Sequence, residues 1–152
     1  MIGAARTRVA LTALNVHKHG SPQMFSHVMV GSNDLDRSKR FYDATLHTLG
    51  IDHGAFFGDR ILWRTAQGNF AVTKPINSEP ATFANGGTIA FACNSADQVE
   101  AWHAAGVAAG GTSCEEPPGP RPGPNVTVYL AYLRDPDGNK LCACCHETWI
   151  TG

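Results

Sequence analysis

One order of elements is written twice in this chain, and few folds accommodate it. Residues 25–30 alternate apolar and polar side chains and read as a strand with Phe25, His27 and Met29 on one face. Residues 33–49 read as a helix, with Leu35, Tyr42, Leu46 and Leu49 on one stripe. Asn33 or Asp34 can cap its start, and Gly50 stops it. Three short strands are predicted at 51–57, 61–65 and 69–74, punctuated by turns at Gly58-Asp59 and Gln67-Gly68. Residues 75–87 have no periodicity and read as a linker. The same series then returns. A strand at 88–93 leads to Ser95, whose capping-box partner is Gln98, and to a helix with Val99, Trp102, His103 and Gly106 on one face. Gly110-Gly111 ends it, and strands follow at 112–115, 126–133 and 140–146, with a Pro/Gly-rich loop at 116–124. A repeat of element order with little shared sequence implies two β-α-β-β-β halves in one α+β fold.

The last two strands are joined by Asp135-Pro-Asp-Gly-Asn139, a tight-turn sequence, so they form a hairpin. Side chains alternate along a strand, so Cys142, Cys144 and His146 share one face and Leu141, Ala143 and Cys145 the other. Arg134 reads as a brace for the turn. A formal net charge of -1 spread without a basic patch argues against nucleic acid as a partner. No apolar run is long enough to span a bilayer. Five Cys without a spaced framework fit a reducing, cytoplasmic setting. Residues 1–23 hold no acidic residue but carry Arg6, Arg8, His17, Lys18 and His19. They lack the apolar core of a signal peptide and read as a leader or appended segment, with the domain spanning 24–147 (halves about 24–75 and 87–147) and a tail at 148–152.

Two β-α-β-β-β halves, His27 on the first strand, Asp34-Leu-Asp with Phe41-Tyr42 on the first helix, and Asp135-Pro-Asp-Gly-Asn139 before the last strand together resemble the glyoxalase/bleomycin-resistance/dioxygenase superfamily. The resemblance implies the vicinal oxygen chelate fold, in which each half curls into a half-barrel, the concave faces hold the site, and many members are homodimers. It also implies four metal-ligand positions. His27 matches the first, Cys142 falls where the last-strand carboxylate is expected, and Thr88 falls at the position opening the second half. The remaining one lies near 71–74, where no Glu or Gln stands, with Gln67 nearby in a turn.

A neutral Thr hydroxyl is a poor ligand for a divalent ion, whereas a Cys142 thiolate, helped by Cys144, suits zinc. His27 and Cys142 are therefore the metal candidates, with the metal-free state the default. Around them the substrate-pocket candidates are His27, Thr88, Cys142, Tyr129, Tyr132, Lys74 and Arg121. Tyr129 and Tyr132 lie on opposite strand faces, so one of them presents its hydroxyl to the cavity. Lys74 or Arg121 would pair with an anionic substrate. Trp63 and Phe91 are expected in the core or the cavity wall. Two readings of function are open. One is a glyoxalase-like lyase or isomerase acting on a small polar metabolite or glutathione conjugate. The other is a metal-free protein that sequesters a small molecule, of the bleomycin-resistance type.

Overall fold

The computed structural model describes residues 22–149. Most of the leader predicted at 1–23 and the last residues of the predicted tail lie outside the described residues. The first half consists of β1 (His27–Gly31), α1 (Leu35–His47), β2 (Ala55–Phe57), β3 (Arg60–Thr65) and β4 (Gly68–Thr73). The second consists of β5 (Ile89–Ala92), α2 (Ala96–Ala108), β6 (Thr112–Ser113), β7 (Gly119–Pro122), β8 (Val126–Arg134) and β9 (Lys140–Trp149). The first sheet has the order β1-β4-β3-β2 and the second β5-β9-β8-β6, with β7 also paired to β8. In each half the first strand runs parallel to the last strand and forms a sheet edge.

Both helices begin where the sequence indicates. The Asp34 carboxylate accepts from the Arg37 N–H and the Ser95 hydroxyl from the Gln98 N–H, each satisfying a donor the first turn leaves open. The two helices cover one side of the sheets and meet each other. Phe41, Tyr42 and Leu46 from α1 and Val99 and Trp102 from α2 are buried against Ile61, Trp63, Phe70, Val72, Leu133, Leu141 and Ala143. At the crossing sits Gly106, where a Cβ would come within 2.2 Å of Leu133 Cδ1. A side chain there would force Leu133 of β8 to shift and would crowd Thr45 of α1 (3.1 Å), so the glycine lets α2 lie close to both.

The Asp-Pro-Asp-Gly-Asn turn does more than join β8 to β9. Asp135 is 4% exposed, and its carboxylate accepts from the Tyr42 hydroxyl (2.6 Å), the Asn139 side-chain amide (2.8 Å) and the N–H groups of Asp137 and Asn139 (2.9 Å each). Asp137 accepts from the Asn33 N–H, the Asn33 amide and the Arg37 guanidinium at 2.9–3.0 Å. The Asn139 amide also donates to the Gly31 carbonyl at the end of β1 (3.1 Å). The turn of the second half is thus clasped onto the helix start of the first. Arg134 braces it as expected, donating to the Gly138 carbonyl at 2.8 Å and stacking on Phe83.

Two local expectations change. The loop predicted at 116–124 contains β7, an edge strand paired with β8 from Gly119↔Leu130 to Pro122↔Thr127. Pro120 and Pro122 occupy alternate positions, so the missing N–H groups face one edge while Gly119 and Arg121 serve the ladder. The strand predicted at 51–57 is confined to Ala55–Phe57. Just before it, the Gly54 N–H turns aside to the Asp43 carboxylate (2.8 Å), and Trp63 leaves no room for a Cβ there.

Candidate functional site

The alternation along β9 holds. Leu141, Ala143 and Cys145 face the helices in the core, which puts Cys142, Cys144 and His146 on the opposite, concave face. A register shift at Thr127/Val128 leaves this alternation intact through His146, which pairs with Val128. The tyrosines separate the same way. Tyr129 packs toward the helices and donates to Glu100 of α2 (2.5 Å), whereas Tyr132 pairs with Cys142 across the strands on the concave face.

Among the described residues no ladder joins β1 to β5, and the two sheet edges leave a cleft between them. Its volume is about 270 Å³. Trp63, Phe70, Ile89 and Phe91 form apolar walls, and His27, Gln67 and Asn69 bring polar groups to the rim. The His27 ring is exposed, and its Nδ1 lies 2.9 Å from the Ser26 hydroxyl. Trp63 and Phe91 thus serve as wall, as the sequence suggests. The structure also adds Asn69 and Phe70, which the sequence reading did not single out. Their signal was present: β4 pairs His27 with Asn69 and Val28 with Phe70, as a β-α-β-β-β half requires of its first and last strands.

The other candidates stand elsewhere. Thr88 lies at the far end of the β1–β5 gap, in a recess with Met29, Thr82 and Lys140. Cys142 is one strand beyond β5, opposite Ala90, and is 3% exposed. Burial pushes its thiol up to about 11, with Cys144 adding to the shift, although a hydrogen bond with the Tyr132 hydroxyl opposes it. Burial also raises Tyr132 above the usual phenol value. Lys74 follows β4 and reaches Asp59 at 4.0 Å, away from the cleft. Arg121 donates to the Pro117 and Pro120 carbonyls of its own segment (2.8 and 3.2 Å). The structure therefore gathers His27 with the cleft, and Cys142 with Tyr132, as two separate groups.

The sequence model of the Glyoxalase/Bleomycin resistance protein/Dioxygenase superfamily matches residues 24–143. The chain belongs to this superfamily. A solved glyoxalase/bleomycin resistance protein from Albidiferax ferrireducens T118 is 59% identical, with a TM-score of 0.79 over 80% of this chain and 98% of that one. The fosfomycin resistance protein FosX from Mesorhizobium loti is 17% identical, with a TM-score of 0.57 over 79% of this chain and 89% of its own. A lactoylglutathione lyase from Agrobacterium tumefaciens is 20% identical, with a TM-score of 0.56 over 82% and 94%. At these lower identities the likeness concerns the fold. No curated protein matches. These relatives fit the α+β, paired-module architecture the repeat predicts. Among the described residues no helix is long and apolar enough to cross a membrane.

The superfamily implies a divalent metal, and the donor set tests that implication. Among the described residues no three His, Cys, Asp or Glu side chains are grouped so that they could hold an ion. At the expected ligand positions stand one imidazole, one neutral hydroxyl and one buried thiol. A hard divalent ion requires several charged or imidazole donors at about 2.0–2.2 Å. The residues present do not fit such a metal.

Proposed function

We propose that this protein is a metal-free, small-molecule binding member of the superfamily, of the sequestering type, with the β1–β5 cleft as its ligand site. The observation that carries this reading is the chemistry of the cleft wall. Trp63, Phe70, Ile89 and Phe91 enclose the space, and the polar side chains among its described lining residues are one imidazole, one hydroxyl (Thr65) and two neutral amides. Among the described residues no ammonium or guanidinium lines it, and Lys74 and Arg121 make their contacts elsewhere. A glutathione conjugate brings two carboxylates that would find no counter-charge here. The wall instead favours a flat, largely apolar body with one or two hydrogen-bonding groups near His27. A homodimer, expected from the family, goes with this reading and is checked by light scattering.

The test has two arms. Elemental analysis of protein purified without added metal should find far less than one zinc, iron, nickel or manganese per chain. A panel of uncharged aromatic compounds, titrated against Trp63 fluorescence with Trp63→Phe as the control, should yield at least one binder. His27→Ala should weaken that binder roughly tenfold, about 1–1.5 kcal/mol for one lost hydrogen bond. Stoichiometric metal that disappears in His27→Ala would overturn the reading.

A further inference from the structure

The two sheets end in unlike outer edges. In the second half that edge is formed by β6 and β7, whose side chains are Thr112, Ser113, Arg121 and two prolines. Charge and proline on an edge discourage pairing with another chain. In the first half the edge is β2, Ala55-Phe56-Phe57, which carries neither and is exposed throughout. Phe56 is 50% exposed and Phe57 69%. Phe56 stands opposite Ile61, on the core side of the sheet, and Phe57 opposite Arg60, on the other side, so both faces of this edge are apolar.

Its backbone is open as well. The two residues Gly58-Asp59 join β2 to β3, with Gly58 at φ +59° and Phe57 paired with Arg60. The pair flanking a two-residue hairpin turn exchanges both hydrogen bonds, so by alternation the N–H and C=O of Phe56 point out of the sheet. We propose that β2 is the surface through which two copies of this chain associate, antiparallel about a two-fold axis at Phe56. The proposal rests on the homodimer reading given above and supplies its interface.

The sequence around β2 is complementary to itself under such an axis. Asp52-His53-Gly54 precede the strand and Gly58-Asp59-Arg60 follow it. The axis brings the end bearing Asp52 and His53 beside the copy's end bearing Asp59 and Arg60, and does so twice. Asp52 then meets Arg60, and His53 meets Asp59. Gly54 meets Gly58, where a Cβ would touch nothing within 4 Å. Asp52 and Arg60 are exposed and take part in no ion pair among the described residues. Asp59 already has Lys74 at 4.0 Å and His53 has Asp43 at 4.0 Å, so the Asp52–Arg60 pair sets the register. A parallel arrangement would oppose like charges at both ends. An extended peptide from another protein would gain the same backbone hydrogen bonds but not this charge match. Two partly exposed Phe rings offer roughly 200 Å² of apolar surface per copy. The contact therefore belongs to the small, weak class, below about 1,200 Å² in total, and the dimer forms with rising concentration.

The experiment is sedimentation velocity on the full chain, over a series from low micromolar to millimolar concentration. The parent should pass from monomer to dimer. Phe56→Asp puts two carboxylates face to face on the axis and should weaken the dimer by roughly tenfold or more. Asp52→Arg and Arg60→Asp, each alone, should weaken it similarly, because like charges then meet at both ends. Mixed one to one, these two variants should form a heterodimer about as tight as the parent's, since every charge again meets its opposite. Circular dichroism melting identifies any variant that fails to fold, and recovery in the mixture is a readout that a folding defect would not give. A parent that stays monomeric throughout would overturn both the homodimer reading and this surface. A parent dimer that Phe56→Asp leaves intact would overturn this surface alone and place the interface elsewhere. Weakened single variants with no recovery in the mixture would overturn the two-fold register and assign β2 to a different occupant, such as an extended peptide. None of these outcomes depends on whether a ligand occupies the β1–β5 cleft.

Discussion

Tyr42→Phe removes one hydroxyl from the clasp and leaves the rest of the side chain in place. The ring still packs on Phe41, Trp63 and Phe70, with centroid distances of 4.7–5.5 Å. The loss is the 2.6 Å hydrogen bond to the Asp135 carboxylate. A hydrogen bond to a charged group contributes about 1.5–3 kcal/mol. Asp135 Oδ2 keeps the Asn139 amide at 2.8 Å, so no carboxylate oxygen is orphaned. We therefore expect a loss of about 2 kcal/mol in urea unfolding, or about 4–8 °C in melting temperature for a chain of this size. Alkaline pH gives a second readout. Burial, and next to it the Asp135 charge, hold the Tyr42 phenol well above its usual value. The unfolded chain therefore loses this proton first, at about pH 10. The stability that Tyr42 contributes is complete below that pH and declines as pH rises above it. Tyr42→Phe should flatten this alkaline decline. A variant within 0.5 kcal/mol (roughly the spread of ordinary surface substitutions) and an unchanged alkaline limb would together refute the clasp as a stabilising contact.

Four further outcomes follow from other sites. Gly106→Ala should destabilise by about 1–3 kcal/mol in denaturant titration, because the methyl meets Leu133 and Thr45, which outweighs the gain of about 1 kcal/mol in helix propensity. Gly138→Val should cost about 2–4 kcal/mol, since Gly138 has φ +92° and a Cβ would stand 2.7 Å from Phe83 Cδ1; an unchanged urea midpoint would contradict the turn geometry. Asp43→Asn should make stability less sensitive to acid. Burial alone would raise the Asp43 carboxyl, but hydrogen bonds from Lys39, the Gly54 N–H and the Trp63 indole outweigh it and hold the group below its usual range, so its contribution is present above about pH 4 and is lost as pH falls further. Cys142, pushed up to about 11, should alkylate with iodoacetamide far more slowly at pH 7.5 than an ordinary thiol and accelerate up to about pH 11, as read by peptide mass spectrometry.

Much of the fold was legible because its signals are local. Asp34 and Ser95 announce the helices through short-range capping, and the alternation in β9 assigns Leu141 and Ala143 to the core before any contact is known. β7 was not legible, because Pro120 and Pro122 argue for a loop until a partner strand is seen to need only the intervening residues. The site was legible in part. His27 could be placed by its strand position, but its cleft neighbours Ile89 and Phe91 come from the other half of the chain. The turn signal at 135–139 gave the hairpin but not its docking onto Asn33, Arg37 and Tyr42, about a hundred residues earlier. No periodicity encodes contacts of that span. The tyrosine facing the concave side was likewise undecided until α2 supplied Glu100 as a partner for Tyr129.

The clasp also bears on the order of folding. Its hydrogen bonds join residues 93–108 positions apart, whereas the β8–β9 hairpin and each helix close over short stretches of chain. Loop closure over such a span is entropically costly and is repaid only once both partners are shaped. The Asp135 turn must already be built before it can receive the Tyr42 hydroxyl, and α1 must already present that hydroxyl. The linker is held as well, since Asn33 exchanges hydrogen bonds with Ala81 in both directions (2.7 and 3.1 Å). The two halves thus act as prefabricated parts whose seam closes late, and substitutions along that seam should speed unfolding while leaving the refolding rate nearly untouched.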